Sequence, residues 1–280
     1  RKKISLFTNV SAGDVFSCHD VKSIFMIPQM LYEQGLVEII FKKFEKVGYV
    51  NASENWNSWN TIVNSLQITE NPIKIAMVGK YVTLADSYVS VNEALKHATA
   101  SINSSVSIDW IDSETLNGNI KKLSEYQGIL VPGGFGTRGS EGIIETSSFA
   151  LEQNIPFLGI CFGFQLAAVS FGRSICKLEE ANSTEISADT THPIIALLPE
   201  QEEVSDMGGS LRLGANEIKI NPDTLASKLY NSNKISRRHR HRYEFNTKFR
   251  EQFKENGMIF SGESDNGKRM EILEVPSHKF

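Results

Sequence analysis

Cysteine is scarce: Cys18, Cys161 and Cys176 are odd in number and far apart. None forms a C-x-x-C pair and none has histidine partners at metal-ligand spacing, which argues against a disulfide framework and a structural metal and for a reducing compartment. An excess of positive charge is also missing. Lys and Arg total 29 against 33 Asp and Glu, a net charge of −4, so a general nucleic-acid binder is not expected and any basic site must be argued locally. Long apolar runs are nearly absent as well. The one candidate, Ile155 to Gly172, is interrupted by Gln165 and Ser170, which suits a strand, a turn and a helix better than a membrane span. No targeting peptide opens the chain, so a cytoplasmic location is expected and no membrane partner. With 40% hydrophobic and 22% charged residues over 280 positions, there is material for one large domain and an appendage.

The most informative stretch is Ile155-Pro156-Phe157-Leu158-Gly159-Ile160-Cys161-Phe162-Gly163-Phe164-Gln165. Gly159-x-Cys161-x-Gly163 has the spacing of a nucleophile elbow, a strained strand-to-helix corner with a cysteine at its tip. A thiol at a helix N-terminus is expected to ionise more easily, and backbone N–H groups there can hold an oxyanion. The alternative is a buried cysteine in an ordinary connection. A second glycine cluster, Val131-Pro132-Gly133-Gly134-Phe135-Gly136, leaves a strand with consecutive N–H groups exposed. It lacks the Gly-Lys-Ser/Thr ending of a phosphate loop and fits an oxyanion loop beside the elbow better, with a plain tight turn as the remaining reading.

Around these motifs the periodicity predicts alternating strands and helices. Strands are expected at Ile73–Gly79, Val106–Ile111, Gly128–Val131 and Phe157–Ile160. Helices are expected from a capping box at Ser90-x-x-Glu93, with Val91, Leu95, Ala98 and Ile102 on one face, and at Ile143–Gln153. This is an α/β fold with a doubly wound, mostly parallel sheet and function at the strand C-termini; shorter segments beyond Cys176 suit antiparallel additions. Upstream, Arg1 to Phe7 alternates like a strand already under way, so the chain reads as a fragment. A helix follows from Ser23 to Gly35, with Gly35 as its cap. The polar stretch 46–72 reads as an interdomain linker containing a helix near Trp56 to Leu66. Arg237 to Arg242 could be a nucleic-acid patch, but six residues without an aromatic stacking platform fit a solvated turn better.

Together, the glycine cluster, the elbow, Asn182-Ser183-Thr184-Glu185, Met207-Gly208-Gly209-x-Leu211-Arg212-Leu213-Gly214 and Arg238-His239-Arg240-His241-Arg242-Tyr243-Glu244 resemble the CTP synthase family in its class I glutamine amidotransferase domain, a flavodoxin-like fold. Ile4 to Phe7, Asp20 to Ile24 and Gln34 to Leu36 are similar to the end of that family's amidoligase domain. The resemblance implies three parts: residues 1–45 as the end of a second α/β domain, 46–72 as linker, and 73–280 as amidotransferase. It implies that Cys161 hydrolyses glutamine through a γ-glutamyl thioester, with ammonia passing to ATP-activated UTP to make CTP. Gly133, Gly134 and the Phe162 N–H would form the oxyanion hole. Gly134, Phe162, Gly163, Phe164, Gln165, Glu185 and Arg242 would bind glutamine, Arg242 clamping a carboxylate. Lys3 would contact the pyrimidine nucleotide, and His19, Asp20 and Val21 would belong to the adenine site. ATP with Mg as substrate, GTP as allosteric effector and a homotetramer follow by the same analogy, with no metal in the amidotransferase domain.

Some features depart from the family pattern. The family's base lies in a Gln-Phe-His-x-Glu strand that residues 1–280 do not contain; His278 matches a non-catalytic histidine before it and reads as a surface turn residue. Phe162 and Phe164 replace smaller apolar residues, and the loop from Pro199 to Asp206 is short. Three functional readings therefore stand: part of a CTP synthase, a catalytically silent glutamine-binding or assembly module, and an amidotransferase serving another acceptor.

Overall fold

The structure, a computed structural model, describes residues 1–44, 53–68, 70–82, 84–116, 118–198 and 211–279. Met207, Gly208, Gly209 and the loop from Pro199 to Asp206 lie outside the described residues. The chain divides into two compact units, residues 1–73 with 93–106, and 74–92 with 107–280.

In the first unit, α1 spans Lys2–Thr8, α2 Ile27–Glu33, α3 Leu36–Lys43 and α4 Ser53–Ser65. The strand expected over Arg1 to Phe7 is corrected to a helix. Ile4, Leu6 and Phe7 are exposed, so alternation buries nothing, while a helix satisfies its backbone internally: Ser5 N–H reaches Arg1 O, and Thr8 Oγ1 donates to Ile4 O. The helix expected to end at Gly35 is present behind a 3-10 turn at Ile24–Met26, with Pro28 in its first turn; Gly35 at φ 81° follows its C-cap and begins α3, which the sequence reading missed. Gln34 ties these pieces together, accepting from Ser17 N–H and donating to Ser17 O and Met30 O. Trp59 Nε1 donates to Phe25 O, and the Phe25 ring meets Trp59 at 5.9 Å and His97 at 5.3 Å. Among the described residues no single helix is long and apolar enough to cross a membrane; 24–33 and 36–43 reach that length only together, across a 65° bend.

The second unit is organised by a four-stranded sheet in the order β2-β1-β3-β4, with β1 at Ile73–Gly79, β2 at Val106–Asp112, β3 at Gly128–Val131 and β4 at Phe157–Gly159. The β1–β3 and β3–β4 pairs are parallel. β1 and β3 are apolar because both their faces are covered, as parallel strands require. α5 (Val89–Ser101), whose residues from Glu93 onward belong to the first unit, begins directly after a 3-10 turn, so Ser90 lies inside the helix and is not its cap, and Glu93 meets Lys96 instead. α6 (Ser140–Glu152) and α7 (Phe162–Ser174) bury Ile143, Leu151, Leu166 and Val169 in one core.

Behind α7, the rings of Phe171, Phe253, Phe245 and Phe260 follow one another at about 5 Å and carry that core into two further, mostly antiparallel sheets. These are a mixed sheet of β5 (Ala181–Ser183), β6 (His192–Ala196) and β9 (Glu244–Phe245), in which β5 and β6 run parallel and β9 antiparallel to β6, and an antiparallel sheet ordered β11-β10-β7-β8, with β7 at Arg212–Ile220, β8 at Lys234–His241, β10 at Ile259–Ser264 and β11 at Arg269–Glu274. The basic string is therefore corrected from a turn to the end of a strand. Period-two alternation leaves Arg238 and Arg240 exposed and turns His239 and His241 inward.

Candidate active site

Cys161 stands between β4 and α7 at φ 54°, ψ −102°, a backbone conformation that costs a non-glycine residue and marks a functional corner. The corner is held from both sides: Ile160 N–H donates to Val131 O at 2.8 Å, and Gln165 N–H returns to Cys161 O at 3.0 Å. Its glycines are demanded by space. A Cβ on Gly163 would lie 2.3 Å from Val131 O, and one on Gly159 2.6 Å from the Gly163 backbone.

The Gly133-Gly134 turn leaves β3 beside this corner. A Cβ on Gly133 would touch Cys161 Cβ at 3.7 Å, and one on Gly134 would touch the Phe162 ring at 3.4 Å. The two stretches singled out from sequence therefore meet. The Phe162 N–H bonds the Cys161 sulfur and favours the thiolate, but burial outweighs it, and Glu185 and Glu244 add to the upward shift. The expected easing of ionisation is thus corrected: desolvation outweighs the N–H at the helix terminus and shifts the thiol pKa upward. A carbonyl brought to Cys161 would have N–H donors on one side and a thiol needing a base on the other.

Glu185 Oε1 accepts from Gly136 N–H at 2.7 Å, so this carboxylate belongs to the same corner. Gln165, 6% exposed, donates from Nε2 to Tyr243 O at 2.9 Å, which links α7 to the segment carrying Arg242. A cavity of about 530 Å³ opens beside them, lined by Leu158, Cys161, Phe164, Tyr230, Arg240 and Glu244 among others. Lys3, on α1, and His19 and Asp20, in an irregular stretch before α2, are exposed, and Val21 is half-buried; all four lie in the first unit. His278 is exposed, its Nδ1 2.9 Å from Ser277 Oγ in a terminal turn.

Several residues escaped the sequence reading. Lys80, directly after β1, donates to Phe135 O and Gly136 O and lies 4.2 Å from the Phe162 ring centroid; burial lowers its pKa to about 8. A lysine at the C-terminal end of a parallel strand was a usable signal. The ion pairs of Arg212 had none. From β7 Arg212 reaches Glu271 at 2.6 Å and Glu244 at 3.4 Å, partners 59 and 32 positions away. Burial pushes Glu244 up to about 7, against the pull of Arg212. Burial pushes Glu271 upward too, but hydrogen bonds from Arg212 and Ser264 outweigh it and hold its carboxyl below the ordinary value. Burial, then Arg212, lower His241 to about 4.

His239, His241 and Glu271 each place a ligand atom within 4.8 Å of the others, a grouping that could hold a divalent ion. The donors already have partners, however: His239 Nε2 lies 3.0 Å from Glu271, and the Arg212 guanidinium on the same carboxylate opposes a cation.

A parallel sheet, a cysteine elbow and a glycine turn beside it define a class I glutamine amidotransferase, and residues 83–280 match the family model described as glutamine amidotransferase class-I. Residues 1–46 match the model described as CTP synthase N-terminus. The chain belongs to the CTP synthase family. It is 44% identical over 280 residues to a CTP synthase of Archaeoglobus fulgidus and 45% identical over 283 residues to one of Staphylococcus saprophyticus, covering 100% of this chain and 52% of each relative. The chain thus spans about half the length of the curated relatives it matches. Among solved structures it is similar to the glutaminase domain of Trypanosoma brucei CTPS with bound acivicin, at 33% identity and a TM-score of 0.70, covering 74% of this chain and 83% of that one.

Proposed function

We propose that this chain is the glutaminase part of a glutamine-dependent CTP synthase. Cys161 sulfur attacks the side-chain carboxamide carbon of glutamine, and the carbonyl oxygen takes up negative charge against the N–H groups of Phe162 and the Gly133-Gly134 turn. Collapse of that adduct expels ammonia and leaves a γ-glutamyl thioester, which water cleaves to glutamate and free thiol. Glu185 faces the substrate's α-ammonium and Arg242 its α-carboxylate, while Gly134, Gly163, Phe164 and Gln165 shape the remaining walls. What carries this reading is the strained corner at Cys161, with a backbone N–H on its sulfur and a glycine turn against it.

The thiol needs a proton acceptor, and the family resemblance assigns one to the histidine of a Gln-Phe-His-x-Glu strand, which residues 1–280 do not contain. We assign residues 73–280 to the amidotransferase, 46–72 to a linker and 1–45 to the end of an amidoligase domain, where Lys3, His19, Asp20 and Val21 would help bind UTP and ATP with Mg. Ammonia would pass to the ATP-activated pyrimidine, with GTP as effector, in a cytoplasmic homotetramer.

The γ-diazoketone analogue of glutamine tests the proposal on the full-length protein. Peptide mass spectrometry should find the adduct on Cys161, and Cys161→Ser should abolish both labelling and glutamine hydrolysis. Hydrolysis that persists in Cys161→Ser would overturn the assignment. CTP formed from UTP, ATP and glutamine, and from no other acceptor, would separate this activity from that of a general amidotransferase.

A further inference from the structure

Lys80 is 5% exposed, deeper than a lysine sits without specific partners. Its partners are unusually concentrated. The ammonium donates to the Phe135 carbonyl at 2.8 Å and to the Gly136 carbonyl, and it packs against the face of Phe162. The far end of the first of these peptides is also held, since the Gly136 N–H donates to Glu185 at 2.7 Å. One peptide unit, Phe135-Gly136, therefore has its C=O on a buried cation and its N–H on a carboxylate. Arg138 completes the frame by donating to the Lys80 carbonyl at 2.6 Å while pairing with Glu114 at 2.8 Å.

We infer that Lys80 is a positioning residue: with Glu185 it clamps the Phe135-Gly136 peptide, and so holds the Gly133-Gly134 turn against Cys161 before substrate arrives. The inference rests on reading that turn as oxyanion donor. A segment with three glycines in four residues, Gly136 at φ 76°, has ample freedom to point its N–H groups elsewhere. An oxyanion hole is effective only when its donors are already in place, and misplacement of about 1 Å can cost roughly a hundredfold in rate. The Lys80 stem also forms part of the wall, with its Cδ 3.8 Å from where a Gly134 Cβ would stand. Two opposite charges on one peptide supply a local restraint that the glycines themselves do not.

The test compares Lys80→Met, which keeps length and loses charge, with Lys80→Arg, which keeps a cation, in the full-length protein. Amide hydrogen exchange of the peptide covering 132–138 should rise about tenfold or more in Lys80→Met and less in Lys80→Arg, with β1, β3 and α7 unchanged. Glutamine kcat should fall roughly 10- to 100-fold in Lys80→Met while KM moves less than about threefold, with partial recovery in Lys80→Arg. Unchanged exchange at 132–138 would overturn the clamp. Faster exchange with unchanged kcat would overturn its role in turnover. Should Lys80→Met lose its fold, Lys80→Gln supplies the same comparison, and a global loss of protection in every variant would refute a local clamp. If the unsubstituted protein does not hydrolyse glutamine, the reading of the site fails, while the exchange measurement still decides the clamp.

Discussion

The first 44 residues and the sheet that carries Cys161 spend their apolar residues differently. In α1, α2 and α3 no side chain is fully buried, and Leu6, Phe7, Ile24 and Phe44 stand in solvent. In β1, β3, α6 and α7 the same residue types form one continuous core. Burial, more than composition, decides what an apolar pattern means: without a face to bury, alternation has nothing to hold it as a strand, and local hydrogen bonding selects the helix seen in α1.

The widest gap between the two regions should appear on truncation of leucine. Leu166 in α7 is 0% exposed and Leu6 in α1 is 80% exposed. Leu166→Ala should cost about 2–5 kcal/mol by urea denaturation, through lost transfer energy and the cavity left, whereas Leu6→Ala should stay within about 0.5 kcal/mol. Comparable losses in the two variants would erase the distinction.

That distinction also sets what could be read beforehand. β1 and β3 were legible because buried parallel strands need nearly unbroken apolar runs, and the elbow was legible because only glycine fits where Gly163 approaches Val131 O. The elbow and the glycine turn could each be found alone, and their meeting followed from parallel neighbours β3 and β4. The helix α1 was misread because its alternation is real and its burial absent. The pairing of Arg212 with Glu244 and Glu271 was invisible for another reason, although Arg212 and Glu244 stand in strings that carry the family resemblance: an ion-pair network assembled from three strands leaves no spacing in the sequence. The sign of the Cys161 shift belongs with them, since desolvation depends on everything packed around the sulfur.

A second, smaller difference should appear in pH dependence, which the buried network makes specific to the second unit. Glu244 is raised from 4.5 to about 7, so between those values the native state keeps a proton that the unfolded chain releases, and stability falls as pH rises. His241, lowered from 6.5 to about 4, acts oppositely: its contribution is present above 6.5 and is lost as pH falls toward 4. The two slopes oppose each other between 4.5 and 6.5. In Glu244→Gln the falling contribution is gone, so stability relative to the unsubstituted protein should climb as pH rises from 4.5 to 7. Urea midpoints at four pH values would show it, and parallel profiles for the two proteins would contradict the assignment.

The smallest effect should come from the ion pair of the first unit. Lys43 Nζ lies 2.7 Å from Asp14 Oδ2, a distance nearly the same as the 2.6 Å between Arg212 and Glu271. Distance alone would rank the two pairs together. Exposure separates them, because the Lys43 and Asp14 side chains are 60% and 19% exposed and the Arg212 and Glu271 side chains only 7% and 4%. Water and salt screen the first pair, and holding a long lysine in one rotamer cancels much of its Coulomb gain. Lys43 also closes the last turn of α3, where a cation meets the helix's negative end, so a small residual contribution is expected. Lys43→Ala should therefore change stability by less than about 1 kcal/mol, and by less still in 1 M NaCl. A larger, salt-insensitive loss would mean that the first unit shields its charges as the second does, and the contrast between the two regions would then lie in apolar burial alone.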